Sequence, residues 1–149
     1  TEIQAAIGRI QLKRMPDWHK NRLRNANSIW NAAKKCKGLR VPIIPHHIDH
    51  AAYKCYVFVK GDASVRNKIM KEINNKGVPC FSGACSEVYL EKAFDKTEFR
   101  PTERLAIAKE LGETSLAFLV HPTLTKKEIQ KTCEVLRQVA SANYDDEEQ

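Results

Sequence analysis

The chain has 149 residues, 42% hydrophobic and 29% charged, which suits one soluble globular domain with a sizeable core. No apolar run approaches membrane-spanning length and no secretory leader pattern is present, so the expected location is the cytoplasm and no membrane partner is expected. The net charge of +7 is uneven: residues 1–80 hold sixteen Lys/Arg against five Asp/Glu, and residues 81–149 hold nine against thirteen.

The basic excess peaks over residues 13–40. Such a face attracts nucleic acid or a phosphorylated ligand. No aromatic interleaving or reader motif accompanies it, so a solvated helix face is the favoured reading and a basic binding module the rival. Five cysteines (Cys36, Cys55, Cys80, Cys85 and Cys133) are odd in number and contain no CxxC. Buried or idle thiols in a reducing compartment fit them better than a metal site.

Ile3, Ala6, Ile7 and Ile10 fall at helical spacing and make one apolar stripe from the first turn. The chain thus opens inside a helix that needs a surface to cover. Gly8, a poor helix former, marks close packing against another element. Pro16-Asp17 is expected to end this helix and start a second one, carrying Leu23, Ala26, Trp30 and Ala33 on one face and closing at Gly38. Residues 1–38 therefore read as an N-terminal helical pair.

Residues 39–142 read as a small α+β domain. Residues 39–44 are extended, but Pro42 and Pro45 confine them to a sheet edge or a loop. His46, His47, Asp49 and His50 crowd five positions; without a helical register beside a glutamate, a polar loop outweighs a metal site, and no metal is assigned. Residues 53–59 alternate with both faces largely apolar, which suits a central strand. Asp62 caps a helix with Val65, Ile69 and Ile73 on one face, closed by Gly77. Residues 78–81 form a short strand.

Ser82, Gly83, Ala84, Cys85, Ser86 and Glu87 come next, small and hydroxylic, before a helical pattern over 88–94. Backbone N–H groups at a helix start suit an anion or ligand hydroxyls. The bland alternative is a tight turn in which Ser82 or Ser86 caps the helix. Pro101 starts a further helix through Leu105, Ala108 and Leu111, closed by Gly112. Residues 115–120 are a second buried strand, ended by His121-Pro122. Thr125 and Glu128 frame a capping box, and Ile129, Cys133, Leu136 and Ala140 mark the last helix. Residues 143–149 read as a disordered acidic tail. The order predicts a few-stranded sheet covered by helices on one face. GxGxxG, a P-loop and a nucleophile elbow are all absent.

The run Glu2-Ile3-Gln4-Ala5-Ala6-Ile7-Gly8-Arg9-Ile10-Gln11-Leu12 resembles a helix of the DegT/StrS group of sugar-nucleotide aminotransferases, which use pyridoxal phosphate. The strand over 53–59, the turn Gly77-Val78-Pro79, the strand ending His121-Pro122-Thr123-Leu124-Thr125 and the closing helix agree with it in order and spacing. The resemblance implies the small C-terminal domain of a fold-type-I pyridoxal-phosphate aminotransferase. It implies a missing N-terminal large domain that carries the Schiff-base lysine and the cofactor contacts, a homodimer, and a keto-sugar nucleotide as substrate.

No catalytic or cofactor-binding residue is therefore assigned here, and this chain alone is expected to be inactive and to bind no pyridoxal phosphate. Carried over, the substrate-facing loop implies Ser82, Gly83, Ser86 and Glu87 as substrate-binding residues. Cys80-Phe81-Ser82-Gly83 departs from the aromatic-histidine loop of many members. A degenerate paralogue kept for assembly is a third reading.

Overall fold

A computed structural model describes residues 1–144. Four helices and a four-stranded antiparallel sheet make up the fold: α1 (Glu2–Ala33), β1 (Leu39–Arg40), β2 (Cys55–Val59), α2 (Ala63–Asn75), β3 (Cys80–Phe81), α3 (Ala106–Thr114), β4 (Ser115–Phe118) and α4 (Lys126–Tyr144). The sheet order is β1-β2-β4-β3. The edge place of β1 and the central place of β2 follow their sequences, proline-flanked and doubly apolar respectively.

Register decides which residues share a face, because directly opposed residues point the same way. Cys55 opposes Phe118 and Val57 opposes Leu116. These side chains are buried under α1, α2 and α4, in one core with Ile29, Ile69, Ile73 and Leu136. Tyr56 opposes Ala117, and Phe58 opposes Ser115, on the second face. That face is closed by α3 and the segment after β3. Arg40 lies over the Phe58 ring at 4.5 Å and pairs with Glu110 of α3 at 3.0 Å.

Two caps work as the sequence indicates. Asp62 accepts from the N–H groups of Ser64 (2.8 Å) and Val65 (3.1 Å) at the start of α2. At α4, the Thr125 N–H donates to Glu128 Oε2 (2.7 Å) while the Glu128 N–H donates to Thr125 Oγ1 (3.3 Å). Buried Asn25 of α1 donates to the carbonyl of His121 at 3.2 Å, which fastens the His-Pro turn to the long helix.

Several boundaries differ from expectation. The predicted helical pair is one helix, with Pro16 inside it. Proline forfeits one ladder bond and crowds one carbonyl. Here it sits on an exposed stretch of a 32-residue helix whose other bonds persist. α1 ends at Ala33, before Gly38, which takes φ +68° at the entry to β1. Pro101 starts no helix, since α3 begins at Ala106; nor does Gly112 end it, since α3 runs to Thr114. Tyr144, assigned to the tail, closes α4 and is buried, its hydroxyl donating to the Lys60 carbonyl at 2.7 Å. Residues 145–149, where the rest of that tail falls, lie outside the described residues.

The first half of α1 stands clear of this domain. Ile3 is 74% and Leu12 63% exposed, and nothing lies within 4 Å of where a Gly8 Cβ would sit. The close packing expected at Gly8 is therefore not made by this chain's described residues. Among those residues, no helix is long and apolar enough to cross a membrane.

Candidate functional site

Residues 82–87 leave β3 and fold back over the second face of the sheet, where each contact has an identifiable cause. The Ser115 hydroxyl donates to the Ser82 carbonyl at 2.7 Å. Gly83 takes φ +90°, and a Cβ there would meet Tyr56 Cε1 at 2.6 Å, so only glycine suits the position. The next N–H, of Ala84, donates to the Tyr56 hydroxyl at 3.3 Å. Ser86 sits against Gly112 of α3, its Oγ 2.1 Å from where a Cβ of that glycine would lie. Gly112 is thus a notch for Ser86 and not a helix terminator.

Glu87 anchors the far end. Arg104 Nε donates to Glu87 Oε1 at 2.9 Å and its Nη2 to Oε2. The Tyr89 hydroxyl donates to Oε1 at 2.7 Å and accepts the Leu105 N–H at 2.9 Å. The Arg104 guanidinium first, and the Tyr89 hydroxyl second, hold the Glu87 carboxyl down at about 2.

The helix expected over 88–94 is two single 3₁₀ turns, Val88–Leu90 and Lys92–Phe94, and no side chain caps either. Ser82 and Ser86 therefore cap nothing, and no α-helix start stands behind the loop. Side chains take up its bonding in place of a helix N-terminus.

A cavity of about 400 Å³ opens beside the loop, lined among others by Arg66, Ser82, Ser86, Glu87, Lys92 and Gly112. Three of the four sequence-derived residues are brought together there, while Gly83 turns against Tyr56. Among the described residues nothing hydrogen-bonds the Ser86 hydroxyl, which lies in the notch at Gly112. Glu87 is engaged on both oxygens.

Sequence reasoning missed Tyr56, Arg66, Arg104 and Ser115. Arg66 carried a signal: with Ile69 and Ile73 it lies on the buried stripe of α2, an odd place for a charge. Its Nη1 donates to the carbonyls of Gly112 (3.2 Å) and Ser115 (3.3 Å). Arg104 carried none, being seventeen residues from its partner. The histidine cluster does not converge: His50 Nδ1 accepts the Ala52 N–H, while His19 Nε2 donates to the His50 carbonyl.

Pyridoxal phosphate, implied by the family resemblance, does not fit the lining of this cavity. The cavity lining holds one lysine, the exposed Lys92, and its innermost carboxylate is already taken by Arg104. A Schiff-base lysine needs a desolvated or charge-crowded setting that lowers its pKa.

The Glu87 pair predicts an acid dependence. A carboxyl held at about 2 in the fold, against an ordinary 4.5, stabilises the native loop fully above pH 4.5. That contribution drains away as the pH falls from about 4.5 to 2. Hydrogen exchange at the Leu105 N–H is expected to accelerate over that window relative to the amides of α4, and Glu87→Gln should flatten the difference. Equal acceleration at both places in the native protein would show that the pair does not hold the loop.

A model of the DegT/DnrJ/EryC1/StrS aminotransferase family matches residues 1–137. The chain is 50% identical to the aminotransferase from Psychrobacter cryohalolentis, with a TM-score of 0.88 over 97% of this chain and 40% of that one. It shares its fold with the aminotransferase TlmJ from Streptoalloteichus hindustanus (24% identity, TM-score 0.81, 93% of this chain and 36% of that one). Spr1654 from Streptococcus pneumoniae, solved in PMP and PLP forms, has the fold too (19% identity, TM-score 0.82, 96% and 36% covered). The chain thus spans about 40% of the length of the Psychrobacter protein. No curated protein sequence matches it.

Proposed function

Because the chain belongs to the DegT/DnrJ/EryC1/StrS aminotransferase family, we propose that it is the C-terminal domain of a pyridoxal-phosphate aminotransferase that aminates a keto-sugar nucleotide in the cytoplasm. The 50% identity to a solved aminotransferase across 97% of the chain supports the aminotransferase part of this reading. On it, a large domain upstream supplies the cofactor lysine and its acidic partner. The described residues contribute a substrate-facing wall: Ser82 and Ser86 lining the cavity, Gly83 turning the backbone, and Glu87 closing the wall through Arg104.

The exposed stripe of α1 and the apolar groove of about 850 Å³ beside it, lined by Leu12, Met15, Trp18 and Tyr53, fit a surface covered by that large domain or by a dimer partner. Bare apolar area of this extent marks an interface.

Two measurements test the proposal. Mixed with pyridoxal phosphate, this chain alone is expected to give no stoichiometric visible band of a lysine-bound cofactor, whereas the complete gene product gives one. A stoichiometric band in this chain, abolished by a single lysine substitution, would overturn the division of labour. In the complete protein, Ser86→Ala is expected to raise KM for a nucleoside-diphosphate keto-sugar while leaving the melting temperature unchanged, since the residue caps nothing. Unaltered kinetics would remove Ser86 from the substrate wall.

A further inference from the structure

We propose that Tyr56 and Gly112 are positioning residues: they hold residues 82–87 in the one conformation presented to the keto-sugar. This rests on the reading above that the loop faces the substrate.

The loop meets the domain at two places where an added Cβ would displace a side chain that now fills the room. At Gly83 the Tyr56 ring occupies the room of a Cβ (2.6 Å), and at Gly112 the Ser86 hydroxyl does so (2.1 Å). These are reciprocal fits, one glycine in the loop against the sheet and one loop serine in the helix. Both partners are themselves fixed. Tyr56 lies in central strand β2, with its ring stacked on Phe58 at 15° between planes. The Gly112 carbonyl is held by buried Arg66, which also holds Ser115, and Ser115 in turn holds Ser82. Positions 82, 83, 84 and 86 are thus each tied to rigid elements. A loop ordered before the ligand arrives avoids the ordering cost on binding. It also keeps hydroxyls within the tolerance that productive geometry demands.

Gly112 makes the idea testable, because an ordinary helical glycine gains stability on replacement by alanine. In Gly112→Ala the new methyl overlaps the Ser86 hydroxyl, whereas in Gly112→Ala/Ser86→Ala the nearest remaining atom is the residue 86 Cβ at 3.3 Å. The complete gene product is used, with iodoacetamide alkylation of exposed Cys85 read by peptide mass spectrometry. KM and kcat are read with a nucleoside-diphosphate 4-keto-6-deoxyhexose.

Gly112→Ala is expected to speed Cys85 alkylation several-fold and raise the sugar KM by about ten-fold, with kcat within about two-fold. The amino-donor half-reaction should be unchanged. In the Ser86→Ala background the same substitution should do neither. Tyr56→Phe, which keeps the ring and loses the Ala84 bond, should move alkylation the same way in a fully folded protein. This keeps the test decisive if Gly112→Ala folds poorly.

Unchanged alkylation in Gly112→Ala and Tyr56→Phe, or an effect undiminished in the Ser86→Ala background, would overturn the positioning role. Faster alkylation with an unmoved sugar KM would overturn its connection to substrate. Absence of any turnover by the unaltered protein would instead sink the functional reading, with the alkylation arm still deciding the clamp.

Discussion

Leu136→Ala is expected to destabilise the domain by about 2–5 kcal/mol. Leu136 is fully buried, in the stripe of α4 that also carries Ile129, Cys133 and Val139. That helix packs on both α1 and α2, so the truncation opens a void where three elements meet. The atoms removed lose their burial, and the rigid neighbours cannot collapse to refill the space. For a chain of this size, each 1 kcal/mol moves the melting temperature by roughly 2–4 °C. Gln138→Ala, two positions on and exposed, is the control and should stay within about 0.5 kcal/mol. Thermal melts of both side by side make the check. Equal small shifts would mean that α4 does not seal the core.

Gly38→Ala should be the second most damaging change, on the order of 3 kcal/mol. Gly38 adopts φ +68°, where an alanine is strained by about 1–2 kcal/mol. Its new methyl would also fall into the Tyr144 ring, 2.4 Å from Cγ and 2.5 Å from Cδ1 and Cδ2. Tyr144 cannot step aside freely, since its hydroxyl donates to the Lys60 carbonyl and the Lys60 N–H donates to the Gly38 carbonyl at 2.7 Å. These contacts tie the end of α4 to the β1–β2 pair. The two costs separate in a cycle: in a Tyr144→Ala background, Gly38→Ala should cost only the backbone strain, about 1–2 kcal/mol. A cost equal in both backgrounds would show that the ring is not what excludes the side chain.

Local signals in the chain settled much of this fold. Asp62 and the Thr125/Glu128 pair act within three or four residues of themselves, and they start α2 and α4 where they stand. The alternation in 53–59 placed a strand at the centre, which forms over 55–59 with one face buried and the other half-buried, and the 3.6-residue stripes marked the buried faces of α2 and α4. The family resemblance was legible for the same reason, because it rests on contiguous runs.

Tertiary packing decided the rest. Pro16 reads as a break because proline costs one helix a bond and a clash, yet the helix on either side of it continues. Gly112 reads as a terminator until Ser86, twenty-six residues earlier, is seen to need its missing Cβ. The pattern over 88–94 reads as a helix, but that segment is bent into two short turns. Glu87 and Tyr89 bond there to Arg104 and the Leu105 N–H, partners that no local window contains. The candidate site is therefore half legible: its hydroxyls and glycine stand in one run of sequence. What holds them, Tyr56, Arg66, Arg104 and Ser115, comes from three distant elements and one loop, and it converges only when the sheet closes.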